Sequence, residues 1–465
     1  MTPVLRLTGG LCASVPRRSP AKRRLVGILA AVIVAGACGS GTESADRRGD
    51  APAGSADEPP AAAQPGDCER GRPPAEPEGP SAEAVPLQEA EAEHPAVEAV
   101  VYPRPDYEGD PWSQWGQGLA LPDGRFLSAI GDHLGPDGNS YLFVYDPSTG
   151  RMTRFGDVLS HTDHSDGEWG YGKIHGQIVP GACGEAFFAT YWGSDRRIEY
   201  GGSYRGDLLF RLDTATLEME LLDVPLPEHG IPSLAGSEPD GLVYGEAPVP
   251  SPDTATGSKD GAFFAYDVAA GEVVFRADDE RLNGFRNVLV DAGGTAYLSA
   301  DGSQLLAYEP GANELRPHPE RLPGGLLRAS TRPASDGTVY GVTEDPDRLF
   351  LFRPDGQIED LGPAQGYTTS VALHPDGERF FYVPGAHGKD RDPAVPLIAV
   401  DTTTGEQTTV VELNNLVEEK LGLTLGGSYN VAVDPSGERV YVGFNAGRDP
   451  DDRWGEVVLV VVRLP

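Results

Sequence analysis

Seven copies of a turn-and-strand motif, a second strand motif that answers each of them, and the lack of long helical periodicity together predict an all-β fold, a seven-bladed β-propeller. The first motif is a turn followed by an apolar strand. It runs from Pro122-Asp123-Gly124-Arg125-Phe126-Leu127 through Cys183-Gly184, Pro239-Asp240-Gly241, Gly293-Gly294, Ser335-Asp336-Gly337 and Pro375-Asp376-Gly377 to Pro435-Ser436-Gly437-Glu438-Arg439-Val440-Tyr441. Asp-Gly and Ser-Gly suit a tight hairpin, because glycine adopts a positive φ at the second turn position without steric cost. The second motif is an apolar strand that closes on another turn, as in Leu142-Phe143-Val144-Tyr145-Asp146-Pro147 and Leu397-Ile398-Ala399-Val400-Asp401. Glycines of the first motif are spaced by 60, 57, 53, 43, 40 and 60 residues, which leaves room for four short strands per unit. Only the patch from Asn415 to Leu421 reads as a short helix.

The elements follow in order. Residues 1–37 hold no acidic side chain, carry Arg6, Arg17, Arg18, Lys22, Arg23 and Arg24, and then run apolar from Leu25 to Ala37. That order of charge and apolar run is a secretory signal, too short to span a bilayer, which takes ~20 residues. The run ends at Ala35-Gly36-Ala37-Cys38-Gly39, which resembles the lipobox of bacterial lipoproteins. The resemblance implies that Cys38 becomes the lipid-modified first residue of the mature chain, anchored on the extracytoplasmic face of the cell membrane, where several acyl chains hold better than one. Residues 38–94 are rich in Pro, Ala and Glu and nearly devoid of aromatic and β-branched residues, so they are expected to form a disordered tether. The propeller is expected over residues 95–465. After Leu425 only three strands remain, Ser428 to Val433, Arg439 to Phe444 and Glu456 to Arg463, so the last blade lacks its outer strand. Pro95 to Tyr102, with Val97, Val100 and Val101, is expected to supply it and to hide an exposed sheet edge.

Charge narrows the function. The formal net charge is −34, and beyond residue 37 there are 31 basic against 71 acidic side chains. Nucleic acid is therefore not an expected partner, and an anionic ligand needs a local basic pocket. Arginine outnumbers lysine 32 to 5, a composition typical of a high-GC genome and consistent with an actinobacterial source. Of the four cysteines, Cys12 leaves with the signal and Cys38 takes lipid, so Cys68 and Cys183 are left to pair or to stay free in an oxidising compartment. A monomer is expected.

The Tyr145-Asp146-Pro147-Ser148-Thr149-Gly150 cadence, together with the Pro-Asp-Gly turns, resembles the YVTN, NHL and gluconolactonase-like propeller superfamily, and more loosely the streptogramin lyases. The likeness spans residues 95–465 and implies fold more than function, since such propellers host lyases, lactonases, dehydrogenases and scaffolds. The first turns of the blades are uniformly tight, and most of the length variation falls in the connections at the opposite face, where function usually lives. Six of nine histidines, His133, His161, His164, His175, His229 and His387, map to that face or to the strand starts beside it.

One residue per blade is expected to face the channel: Gln117, His175, Ser233, Asn287, Arg328 or Ser330, Ser370 and Asn430. All are polar, and a water-filled channel lined by small polar groups accounts for most of them. Lys173 and His175 go further. Period-two alternation puts both on one face of the same strand, a cation beside a proton carrier. Tyr191, Trp192, Arg196, Arg197 and Tyr204 belong to the next loop of the same blade.

A binding or scaffold lipoprotein that holds a glycan, small molecule or protein on the loop-rich face is the leading reading. The alternative is a lyase acting by β-elimination on an acidic saccharide or lactone-like substrate, with His175 or Tyr204 as base and Lys173 with Arg286 or Arg328 stabilising the developing enolate. The Glu-x-His metal pair expected of a streptogramin lyase is missing, as is the tryptophan-docking pattern of quinone-dependent dehydrogenases. A divalent metal is a candidate cofactor at His161, Asp163 and His164, with His175 nearby, although their spacing matches no defined site. The aspartates of 390–392 and 449–452 lack the ligand spacing of a calcium loop.

Overall fold

The structure, a computed structural model, describes residues 76–91, 94–105, 112–132, 134, 138–164, 169–191, 204–249, 261–279, 281–282, 287–389 and 391–465. Seven antiparallel sheets form a ring of seven blades. Blade one is built on Leu119–Ala120, Phe126–Gly131, Ser140–Asp146 and Arg151–Asp157, from the channel outward. Blade two follows with Val179–Pro180, Glu185–Ala189, Leu209–Asp213 and Met219–Asp223, and blades three to six repeat the pattern up to Gln407–Glu412.

The strands read as apolar runs rather than clean alternation because both faces of each blade are covered. Val243 enters the core between blades two and three, while its neighbour Tyr244 enters the core between blades three and four. Each of the seven blade interfaces holds one such apolar cluster.

Ring closure follows the strand count. Blade seven runs Thr424–Val433, Arg439–Gly447, Glu456–Arg463 and then Ala96–Val101, with Val97 opposite Val462 and Val100 opposite Leu459. Val97 packs toward blade six and Val100 toward blade one, so the added strand seals both interfaces.

The folded part starts earlier than composition suggests. Val85–Gln88 adds a fifth strand to blade seven, and Ser81–Glu83 a fifth strand to blade one, so the segment straps the seam between them. Leu87 is buried in the cluster between blades six and seven, and Ala82 and Ala84 pack against the cluster between blades seven and one; an average over a Pro/Ala/Glu-rich window hides these few anchors. The signal segment, Cys38, Cys68 and the tether up to residue 75 lie outside the described residues.

The tight turns differ in detail from the expected two-residue hairpin. In Leu121-Pro122-Asp123-Gly124 the glycine amide donates to the Leu121 carbonyl, and φ of Gly124 is +88°, so glycine stands at the fourth position, after the turn. Leu121 N then donates to Arg125 O at 2.7 Å, the arrangement of a turn followed by a bulge. Proline fits the second position and aspartate the third. The Asp-x-x-Thr-Gly turns have their own logic: Asp401 Oδ1 accepts the amides of Thr403 and Thr404, which holds its carboxyl below the usual carboxylate range. The short helix forms over Asn414–Leu421.

Candidate functional site

The two mouths of the channel differ in chemistry. At the tight-turn end opens a cavity of about 640 Å³, to which all seven blades contribute, among them Leu234, Val288, Asp291, Val371, His374 and Asp434. Polar residues expected to face the channel largely tie blades together. Gln117 Nε2 donates to the carbonyls of Val371 at 3.2 Å and Val431 at 2.7 Å, joining blade one to blades six and seven. Asn430 Oδ1 accepts from Gly118 N at 2.9 Å, Ser370 Oγ accepts from Val431 N at 2.9 Å, and Ser330 Oγ donates to Asn287 Oδ1 at 3.2 Å. Ser233 is also buried. Gln117, Asn430, Ser370, Ser330 and Asn287 are thus cross-ties of the scaffold, while Ser233 Oγ and Asn430 Nδ2 are buried without a hydrogen-bond partner among the described residues.

The loop-rich mouth is different. Its hub is Trp115, just ahead of the first blade's inner strand, with Nε1 donating to Ser113 Oγ at 2.7 Å. The ring of Trp115 stacks on Trp454 at 5.4 Å and lies near-parallel to the His175 ring at 6.4 Å; Tyr429 and His387 meet it at 4.8 and 5.3 Å. Lys173 Nζ stands 4.2 Å from the centre of the Trp115 ring and 5.2 Å from that of Tyr191, within cation–π range of both. Tyr367 continues the cluster, 5.9 Å from His387, and accepts a hydrogen bond from Arg328 Nε at 2.8 Å. Lys389 Nζ lies 4.9 Å from the Tyr367 ring. Five blades thus bring aromatic and cationic groups to one basin, in which Glu344, 3.6 Å from Arg328, and Asp345, 3.3 Å from Lys389 Nζ, are counter-charges.

Lys173 and His175 meet the same two rings, as their alternation predicts, although the paired inner strand of their blade is only Val179–Pro180. A backbone bond, Tyr191 N to Lys173 O at 2.8 Å, ties this approach to the second strand of the blade. His175 is buried, and its Nδ1 lies 2.7 Å from the Pro232 carbonyl of the next blade. A carbonyl only accepts, so Nδ1 carries a proton and, in the neutral ring, Nε2 holds the lone pair. His387 is exposed at φ +56°, a left-handed backbone that costs about 1–2 kcal/mol for a residue with a Cβ, and such strain concentrates at functional sites.

Other expected residues fall elsewhere. The Tyr204 ring packs against Trp169 and Tyr171, and its hydroxyl donates to the His229 carbonyl at 2.8 Å, which commits its proton to the scaffold. His161 meets Phe210 edge-on at 6.2 Å and, like Asp163, is exposed. Among the described residues no three His, Cys, Asp or Glu side chains converge for a metal ion, so His161, Asp163, His164 and His175 are not brought together as a ligand set. Arg286, His133, Trp192, Arg196 and Arg197 lie outside the described residues. Cys183 is disulfide-bonded; the other three cysteines lie outside the described residues.

Trp115, Tyr367, Tyr429 and Trp454 escape a reading that follows one channel-facing residue per blade. The signal was present in register: Trp115 stands two residues before Gln117, as Lys173 stands two before His175.

No protein-family model matches the chain, and no curated protein does. Solved structures do. The structure of U3-55K matches with a TM-score of 0.50 at 10% identity, covering 79% of this chain and 98% of that one. The WD40 repeats of RRP9 match at 0.49 and 10% identity, covering 78% and 97%. A streptogramin B lyase structure matches at 0.49 and 9%, covering 79% and 98%. The likeness is one of fold. A shared propeller fold does not fix a function, so function is argued from the basin itself.

Proposed function

We propose that the loop-rich basin binds a ligand that pairs a flat or ring-shaped apolar face with negative charge, as an acidic saccharide does. The observation that carries this reading is Trp115, with stacked and tilted rings around it and the Lys173 ammonium over its face. Aromatic platforms bind the apolar faces of rings, and cations held beside them orient an anionic group. Lys173 supplies the local positive charge that a chain of net charge −34 needs for an anionic ligand, while Arg328 is balanced by Glu344 and Lys389 by Asp345. Localisation belongs to the same proposal: lipid on Cys38 would hold the propeller at the outer face of the membrane, within reach of cell-envelope glycans.

A second reading keeps the site and adds chemistry. The His175 tautomer favours it, because Nε2 is the nitrogen that would accept the proton α to a ligand carboxylate while the leaving oxygen departs by β-elimination. Calorimetric titration of wild type and Trp115→Ala with a panel of acidic and neutral oligosaccharides tests the binding reading, with ultraviolet absorbance of unsaturated uronates as the readout for elimination. At least one acidic oligosaccharide is expected to bind wild type, with affinity reduced at least tenfold in Trp115→Ala. Equal affinity in the two proteins, or no binding across the panel, overturns it.

A further inference from the structure

Two arginines at the rim of the basin, one from blade six and one from blade seven, have buried donors without an acceptor among the described residues. Nε and Nη2 of Arg391 and Nε of Arg453 are sealed from solvent, and among the described residues nothing accepts a hydrogen bond from them. Neither guanidinium is in an ion pair among the described residues, although they are close enough for Arg453 to act on Arg391. Burial first, and then the Arg453 charge, push the Arg391 guanidinium down from its ordinary value, with Asp392 acting in the opposite sense. Asp392 is exposed, and its carboxylate accepts the Ala394 amide at 2.8 Å.

The placement is built by close backbone approaches. A Cβ on Gly385 would stand 2.7 Å from Arg391 Cα, one on Gly447 would stand 2.7 Å from Arg453 Cα, and one on Gly426 would crowd the Arg453 carbonyl at 3.0 Å. Only glycine at these positions lets the two arginines seat so tightly. Both arginines sit on the segments that form the basin: Arg453 precedes Trp454, whose ring stacks on Trp115, and Arg391 follows His387 and Lys389.

We infer that Arg391 and Arg453 form an oxyanion subsite, which takes the carboxylate of the ligand bound in the aromatic basin. Two adjacent like charges with unmet buried donors are costly without an anion, and a planar fork of N–H groups matches a carboxylate or sulfate oxygen pair. The inference rests on the proposed function for the source of the anion and on the arginines alone for the subsite. It narrows the ligand to a uronate-type or similarly charged ring over a neutral sugar.

Calorimetric titration of the full-length chain tests it with three probes: sodium sulfate at constant ionic strength against chloride, glucuronate, and glucose. Expected are sulfate binding above the chloride background, glucuronate binding at least tenfold tighter than glucose, and loss of both effects in Arg391→Gln and Arg453→Gln with circular dichroism unchanged. Sulfate binding that disappears in the variants without any glucuronate binding keeps the subsite and sinks the sugar reading. Sulfate indistinguishable from chloride in wild type, or variants that bind sulfate and glucuronate like wild type, overturns the inference. Should Arg391→Gln fail to fold, Arg391→Lys keeps the charge, loses the fork, and is expected to weaken both anions.

Discussion

The seam that closes the ring makes a quantitative prediction through Val97 and Val100. Both are almost fully buried, at 2% and 1% exposure, on opposite faces of the strand that completes blade seven. Val→Ala removes two methyl groups, each worth ~0.8 kcal/mol of transfer free energy, and the cavity adds to that. About 2 kcal/mol per site is expected. Because Val97 faces the blade-six interface and Val100 the blade-one interface, the two losses should nearly add, to about 4 kcal/mol, a large share of the 5–15 kcal/mol typical of a folded domain. Val85, one strand further out and 40% exposed, is the matched control, for which the same substitution should cost less than about 0.5 kcal/mol. Urea unfolding followed by circular dichroism reads all three. If Val97→Ala/Val100→Ala unfolds at the wild-type midpoint, or Val85→Ala costs as much as either, the N-terminal strand does not close the ring as described.

Other expectations follow from the same structure. Tyr141 and Tyr382 are pushed up to about 12, chiefly by burial, and Tyr102, Tyr244, Tyr297 and Tyr441 are raised for the same leading reason. Tyr145 is raised by burial and then by Glu98, to which its hydroxyl donates at 2.6 Å. Below pH ~10 both folded and unfolded chains keep these protons, so the stability is fully present; above it the unfolded chain ionises first and stability falls with rising pH. Tyrosinate absorbance should therefore rise together with loss of circular dichroism in one alkaline transition, and a gradual rise in a still-folded protein would speak against the buried tyrosines. Gln117→Ala removes two bonds that tie three blades and should cost about 1–3 kcal/mol, whereas His175→Ala loses the bond to Pro232 together with ring contacts at the channel mouth and should cost about 1 kcal/mol with the fold kept. Thermal melts that rank the two the other way would contradict the cross-tie assignment. Cys38→Ala should release the protein from membranes or block its lipid processing; fatty-acid labelling that marks wild type and variant equally would end the anchor proposal.

Architecture was legible because it is written in repeats. Asp-Gly turns and apolar runs recur once per blade, and the missing outer strand could be counted. Leu87 shows why the domain boundary was not: a buried leucine and two small alanines anchor the strap, and composition averages them away. The site was half legible. Lys173 and His175 followed from period-two alternation, but Tyr204, drawn to them by loop proximity, is taken up by Trp169 and Tyr171. Trp115 and Trp454 come from blades one and seven, which meet only when the ring closes, so nothing local in the chain marks them as partners. Arg391 reads as a surface charge between two aspartates until Gly385 and the Arg453 segment are folded against it.

The central claim is that the ligand lies in the aromatic basin built around Trp115. Trp115 is one of five tryptophans, and fluorescence titration with an acidic oligosaccharide that binds by calorimetry reads it most directly when wild type is compared with Trp115→Phe. A saturable emission change in wild type, tracking the calorimetric isotherm and largely lost in Trp115→Phe, is predicted. Binding without any emission change, or the same change in both proteins, would contradict the claim and move the ligand elsewhere on the propeller.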